Sequence, residues 1–351
     1  AACCVYVRDQ PVVDIWGGRT TADGHEPYAE RTLQMVASAT KGALAICAHR
    51  LVQQGQLDLD APVADYWPEF AAAGKELVPV RWLLSHQAGL PVVDADVTID
   101  DVIQWDPVIA ALARTRPVWE PGTAHGYHAV TYGWLVGEVI ARVTGRSPGS
   151  FFTAEVAEPL GLDFHIGLPD SERGRVSPLR PAALLPEFVP DALALRIADP
   201  TSLAYRAFLV QSGLPSALND PAVWRAEIPA ANGMATAHAL ARMYAACLGE
   251  VDGVRLLEPD TLAAATALQA EGVDVIAGYD TRYALGFQLA FPYRPMAGPG
   301  SFGHYGLGGS VGFAHPGHGL SFGYTVNQMA PGTPADPRSV ALIKAVVGCL
   351  N

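Results

Sequence analysis

Strand-like patterns stand at both ends of this chain and helical patterns fill its middle. Cys4 to Trp16 alternates as two strands about a turn at Asp9-Gln10 and stops at Gly17-Gly18. A lone hairpin is marginal in water, so it needs a sheet to complete. Tyr283 to Phe291, Gly309 to Ala314 and Leu320 to Gln328 supply further strands between glycine-rich turns, and Ser339 to Leu350 reads as a closing amphipathic helix. Between the two ends lie predicted helices over 42–54, ended by Gly55, and Val80–Ser85, closed by Gly89-Leu90-Pro91. Others are predicted at Pro107–Arg114, His128–Thr144, Pro148–Glu158, Thr236–Leu248 and Pro259–Leu268. Residues 160–230 are rich in proline and loop formers and resolve into no clear elements. The expectation is an α/β (α+β) fold: an antiparallel sheet from both chain ends, flanked by helices, with an inserted mostly helical domain. Residues 1–60 plus 275–351 would form the sheet domain and 61–274 the helical one, with the site in the cleft between them.

Composition removes several classes of function. Half of the 351 residues are hydrophobic and 17% are charged, which suits a large packed core. A net charge of -12 without a basic run excludes nucleic acid and anionic lipid as expected partners. No apolar run reaches the roughly 18–20 residues of a membrane span. Cys3, Cys4, Cys47, Cys247 and Cys349 are odd in number and lack Cys-x-x-Cys spacing, so buried thiols in a reducing, cytoplasmic setting are expected, without a metal site or cofactor. A leader removed before Ala1 remains compatible with this reading, and nothing in the sequence sets the oligomeric state.

The first chemical stretch is Ser38-Ala39-Thr40-Lys41. Three positions along a helix return a side chain to nearly the same face, so the Ser38 hydroxyl and the Lys41 amine can meet. A serine hydroxyl attacks only when a base takes its proton, and lysine is a base only when burial lowers its pKa. The competing reading is a helix cap followed by a solvated lysine. Lysine scarcity favours chemistry, because only Lys75 and Lys344 accompany Lys41 and arginine, which cannot lose its proton, carries the other positive charges.

Two further stretches bear on this pair. Trp119-Glu120-Pro121-Gly122 leads into Ala124-His125-Gly126-Tyr127-His128, where a turn precedes a phenol at the predicted helix start. Tyr127 could relay protons if a Lys41 charge lowers its pKa, or it could merely pack; His125 and His128 are rival bases. The run from Phe302 to Phe313 is dense in glycine, either to bring backbone N–H groups up to a ligand or to make a tight hairpin. Gly308-Gly309-Ser310-Val311-Gly312 matches a nucleophile elbow, but a strand and not a helix follows, and no histidine comes after Asp336.

Together these stretches resemble the serine β-lactamase-like superfamily of penicillin-binding proteins, class C β-lactamases and, most closely, family VIII carboxylesterases. Trp16-Gly17-Gly18, the Ser38–Lys41 stretch, Leu83 to Leu90, Tyr127, and His304-Tyr305-Gly306 followed by Gly308-Gly309 carry the resemblance over nearly the whole chain. It implies that Ser38 attacks an acyl carbonyl, that Lys41 and Tyr127 exchange protons, and that backbone N–H groups of Ser38 and Leu307 form the oxyanion hole. Two departures narrow the substrate. Ala129 stands where the β-lactamase pattern has an asparagine, and His304 replaces the usual lysine, weakening a positive charge near neutral pH. Both losses disfavour penicillins and peptide stems and suit a small-molecule uncharged ester, with His304, Tyr305, Gly306, Trp119 and Phe302 as candidate substrate contacts. Acyl transfer or cyclisation, weak β-lactamase or D-amino-acid peptidase activity, and a silent ligand-binding member remain the alternatives.

Overall fold

Alternation in the first hairpin is realised in a computed structural model of the protein that describes residues 1–21, 24–182, 190–332 and 335–350. Ala2–Val7 and Gln10–Trp16 pair antiparallel, and Ala2–Val7 then pairs with Leu320–Thr325 from the other end of the chain. The remaining strands continue in the order Val311–His315, Phe302–Tyr305, Gln288–Leu289, Asp280–Tyr283 and Ala270–Val273, giving an antiparallel eight-stranded sheet. Period-two alternation divides the buried residues. Ala2, Cys4 and Tyr6 join the main core, while Cys3 and Val5 join a second one covered by the Pro337–Leu350 helix.

Glycines let a helix lie directly on the first of these faces. Gly312 and Gly323 are cross-strand partners. A Cβ on Gly323 would stand 2.1 Å from the Ala237 carbonyl oxygen, and one on Gly312 2.9 Å from the Tyr244 ring. Both clashes are with the Ala237–Leu248 helix, whose apolar face buries Leu240, Ala241 and Tyr244. Gly312, within the glycine-dense run, therefore serves helix-on-sheet packing.

Several helices sit close to where periodicity put them, including Thr40–Gln53, Val80–Leu84, Asp106–Arg114 and Pro259–Thr266. Three expectations need correction. The helix expected from His128 starts at Thr131, because His128 is tied to the loop: its Nδ1 lies 2.7 Å from the Gly126 carbonyl and its Nε2 accepts from Leu90 N–H at 3.0 Å. The helix expected over Pro148–Glu158 widens into a π turn at Thr153–Ala157, because Pro159 lacks an N–H and crowds the preceding turn. The strand expected over Tyr283–Phe291 is broken at Gly286, which has a φ of 88° and would bring a Cβ within 2.5 Å of the Ala45 Cβ.

The proline-rich segment contributes to a small sheet that sequence patterns did not reveal. Its order is Phe164–His165, Met234–Ala235, Leu33–Met35 and Val176–Ser177, with runs too short to show a period. Residues 183–189 of that segment lie outside the described residues. Among the described residues no helix is long and apolar enough to cross a membrane.

Candidate active site

The Leu33–Met35 strand delivers the chain into a short 3₁₀ turn, Ala37–Ala39, that leads without a break into the Thr40–Gln53 helix. Ser38 stands on that turn, one step ahead of the helix proper. Ala37 before it is in the left-handed region at φ 47°, a conformation costly for a residue with a Cβ and commonly found where a functional side chain must be aimed. The turn is clamped from outside by Gly306, where a Cβ would stand 2.1 Å from the Val36 carbonyl oxygen. Gly306 thus lets the end of the Phe302–Tyr305 strand touch the backbone that presents Ser38.

Lys41 is fully buried, and its Nζ lies 3.0 Å from Ser38 Oγ, 2.6 Å from the Ala129 carbonyl oxygen and 2.9 Å from the Ala230 carbonyl oxygen. Burial holds the amine well below its ordinary pKa of 10.5. A neutral amine has two hydrogens and one lone pair. With both hydrogens donated to the carbonyls, the lone pair is left facing the Ser38 hydroxyl. Lys75 shows the contrast, for it donates to three carbonyls, those of Ala72, Ala113 and Thr115, and has no lone-pair direction facing a hydroxyl.

Tyr127 completes the cluster from the loop ahead of the Thr131–Thr144 helix. Its side chain lines the same cleft as Ser38, and the Lys41 Nζ lies 4.9 Å from its ring centroid. Burial pushes the phenol pKa above its ordinary value, with neighbouring Ser38 only partly opposing this. The expectation that a Lys41 charge lowers the Tyr127 pKa is not met: burial outweighs the lowering contributions, which come from Ser38 and Arg294, and the phenol stays protonated.

A cleft of about 480 Å³ including its mouth opens beside these groups. Ser38, Tyr127, Leu307, Tyr305 and Gln288 meet Leu193, Phe208, Ala277 and Phe291 along it. Of the anticipated contacts, Tyr305 and Leu307 reach this cleft. Gly306 lies beside it as the backbone clamp. His304 is buried behind Tyr127, ring to ring at 5.9 Å, with its Nδ1 2.7 Å from the Tyr305 carbonyl oxygen. Burial holds its imidazole well below the ordinary 6.5, so it is neutral. Phe302 is fully buried against Phe287 and Tyr244, and Trp119 packs over Gly126 and the His128 ring; neither lines the cleft. His128 has both nitrogens on backbone groups, and burial takes its pKa down to about 3. His125 lies 3.0 Å from the Thr281 hydroxyl. Ser310 is buried in the turn, its carbonyl accepting from Gly306 N–H at 2.7 Å, with a strand following it.

One residue absent from the sequence reading stands behind Tyr127. Asp274 is fully buried, and its Oδ1 accepts from the backbone N–H groups of Tyr127 at 3.1 Å, Ile276 at 2.9 Å and Ala277 at 2.8 Å. Its other oxygen lies 3.3 Å from the Thr281 hydroxyl. No local pattern marks an aspartate that works 147 residues from its partner.

Comparisons with known proteins identify the family of the chain. The chain is 36% identical over 346 residues to a protein of Mycobacterium tuberculosis (strain ATCC 25618 / H37Rv) named esterase/beta-lactamase LipL, covering 93% of this chain and 77% of that one. Its fold superposes on a crystal structure described as a family VIII carboxylesterase with a TM-score of 0.89 and 37% identity, covering 99% and 92% of the two chains. A penicillin-binding protein homologue from Caulobacter crescentus matches at a TM-score of 0.85 and 38% identity, over 99% and 91%. The Beta-lactamase family model matches residues 1–346, and the chain belongs to that family, as a member of its esterase/β-lactamase-like serine hydrolases.

Proposed function

We propose that this protein is a serine carboxylesterase acting through an acyl-enzyme on Ser38. The observation that carries the reading is the buried Lys41 amine, 3.0 Å from Ser38 Oγ and anchored to two carbonyl oxygens. In the proposed reaction the Lys41 lone pair takes the Ser38 proton as Oγ bonds to the ester carbonyl carbon. Backbone N–H groups of Ser38 and Leu307 receive the oxyanion. The C–O bond to the alcohol then breaks, and Tyr127 donates its proton to the departing alkoxide. The Lys41 ammonium returns a proton to the phenolate, so both groups recover their starting states. Water attacks the acyl carbon by the same route and frees Ser38.

Two features support an ester over a β-lactam or a peptide. Ala129 offers no side-chain amide, and His304 is neutral and shielded behind Tyr127. Aliphatic and aromatic side chains at Leu193, Phe208, Ala277 and Phe291 suit a small apolar acyl or alcohol group. The experiment is hydrolysis of short p-nitrophenyl esters beside a chromogenic cephalosporin, with mass spectrometry of the trapped acyl-enzyme. Ester turnover with the acyl group on Ser38 is expected. Fast cephalosporin turnover with inert esters reverses the substrate assignment, and acylation elsewhere overturns the mechanism.

A further inference from the structure

Away from the cleft, two groups of the first hairpin converge with one from a distant helix. Cys4 and Asp14 are cross-strand partners in the first hairpin, so their side chains share one face of the sheet. His238, near the start of the Ala237–Leu248 helix, comes down onto that face. Its Nδ1 lies 2.5 Å from Asp14 Oδ2 and 3.9 Å from Cys4 Sγ, and the three ligand atoms all fall within 4.8 Å of one another. Two strands separate this place from the Phe302–Tyr305 strand, so it is a site apart from Ser38.

A cysteine, a histidine and an aspartate suggest two chemistries, and the geometry chooses between them. A cysteine nucleophile with a histidine relay needs sulfur and carboxylate on opposite ring nitrogens. Here both approach Nδ1, while Nε2 is turned to the Tyr6 hydroxyl at 3.1 Å. An ion pair alone accounts for Asp14 and His238 but leaves the sulfur aimed at the same nitrogen without a reason. Convergence of S, N and O donors on one point is what a metal ion requires.

We propose that Cys4, Asp14 and His238 form a zinc-type transition-metal site, with water completing the coordination. Ordinary zinc bond lengths place S and N roughly 3.5 Å apart and N and O roughly 3.3 Å apart around a tetrahedral ion. Against the distances present, the sulfur closes on Nδ1 by a few tenths of an ångström, the carboxylate moves off Nδ1 by under about 1 Å, and sulfur and carboxylate, within 4.8 Å of each other, close by up to about 1.2 Å. The half-exposed His238 and Asp14 side chains give the ion a way in, while Cys4 forms the buried floor. Tyr6 is the outer partner. Metal takes the Nδ1 lone pair, the imidazole proton moves to Nε2, and Nε2–H donates to the Tyr6 oxygen, which Arg242 Nη1 also approaches at 3.4 Å. The Cys4 thiol loses its proton to solvent as the metal–sulfur bond forms, so each ion bound releases about one proton. Such an ion ties the first hairpin to the helix that covers it.

The test is titration of the purified full chain with Co²⁺ alone, followed by Zn²⁺ competition and thermal melting. One Co²⁺ per chain is expected, with a sulfur-to-cobalt charge-transfer band in the near ultraviolet and a rise in Tm. Cys4→Ser is expected to abolish the band, and His238→Ala to weaken Zn²⁺ by at least about 100-fold, the upper end of what losing an outer partner costs. Tyr6→Phe is expected to weaken it about 10-fold. Exposed Cys349 is the control, and Cys349→Ser must keep the band. Absence of stoichiometric binding, a band that survives Cys4→Ser, or one lost only in Cys349→Ser overturns the proposal. His238→Ala, at a half-exposed position, decides the matter should Cys4→Ser fail to fold.

Discussion

Replacing Gly306 with alanine adds one methyl group at the place where the Phe302–Tyr305 strand meets the Ser38 turn. That methyl would lie 2.1 Å from the Val36 carbonyl oxygen and 3.4 Å from the Ala37 Cβ. Real Cβ contacts essentially never fall below 3.0 Å, so one backbone must retreat by 3.0 − 2.1 Å, about 0.9 Å, and neither side is a flexible side chain. Gly306 has no positive φ, so alanine is conformationally acceptable and the effect is steric. Ala37 is already in the left-handed region, and a shift of Val36 passes straight to Ser38 Oγ. A 1 Å misplacement of a reacting group costs about 10²-fold, which corresponds to about 2.7 kcal/mol of transition-state stabilisation. Overpacking is expected to cost a further 1–3 kcal/mol of stability, roughly 1–4 °C in Tm for a chain of this size. The assay is kcat/KM on a p-nitrophenyl ester with Tm in parallel, and Gly174→Ala, where nothing lies within 4 Å, as control. Gly306→Ala within about threefold of the parent, at unchanged Tm, would refute the claim that this glycine seats the nucleophile.

Other outcomes follow from the same geometry. Lys41→Met is expected to lower kcat/KM by about 10²–10⁴, as for loss of a general base, and to destabilise because the Ala129 and Ala230 carbonyls lose their donor; unchanged turnover excludes Lys41 as the base. The same substitution bears on pH. The unfolded chain protonates Lys41 up to about its ordinary 10.5 while the folded chain does not, so this group's contribution rises with pH toward 10.5. Urea melts across that range are expected to lose this slope in Lys41→Met. On the acid side, burial lowers His49 from 6.5 to about 4 and His128 from 6.5 to about 3, so stability is expected to fall as pH drops from 6.5 toward those values. A urea midpoint that does not change between pH 7 and pH 4 contradicts that burial. Asp274→Ala strands three backbone N–H groups and is expected to cost several kcal/mol and lower kcat, whereas Asp274→Asn keeps the Oδ1 acceptor and is expected to retain most activity. Equal loss in both would point to the carboxylate charge instead of the loop position of Tyr127.

Ser38 and Lys41 were legible in the sequence because their relation is local, one turn apart and set by helical geometry. The sheet was legible for a similar reason, since period-two alternation at both ends survives without knowledge of partners. Even so, strand ends moved wherever a glycine met something from elsewhere, as Gly286 does against Ala45. The helix start moved to Thr131 because His128 is held by Leu90 and Gly126, contacts that no propensity encodes.

What the chain alone determined is the juxtaposition of Ser38 with Lys41 and the sheet that closes from both termini, because short-range spacing and periodicity suffice for each. Only the tertiary structure decided that the Lys41 amine is held well below its ordinary pKa, because that depends on burial, and that it is anchored to two carbonyls 88 and 189 residues away. It also decided that Phe302 is core and that Trp119 packs over Gly126 away from the cleft, that Asp274 holds the Tyr127 loop, and that Cys4 faces Asp14 and His238. Desolvation and long-range hydrogen bonding belong to the folded environment, and a linear spacing carries no record of either.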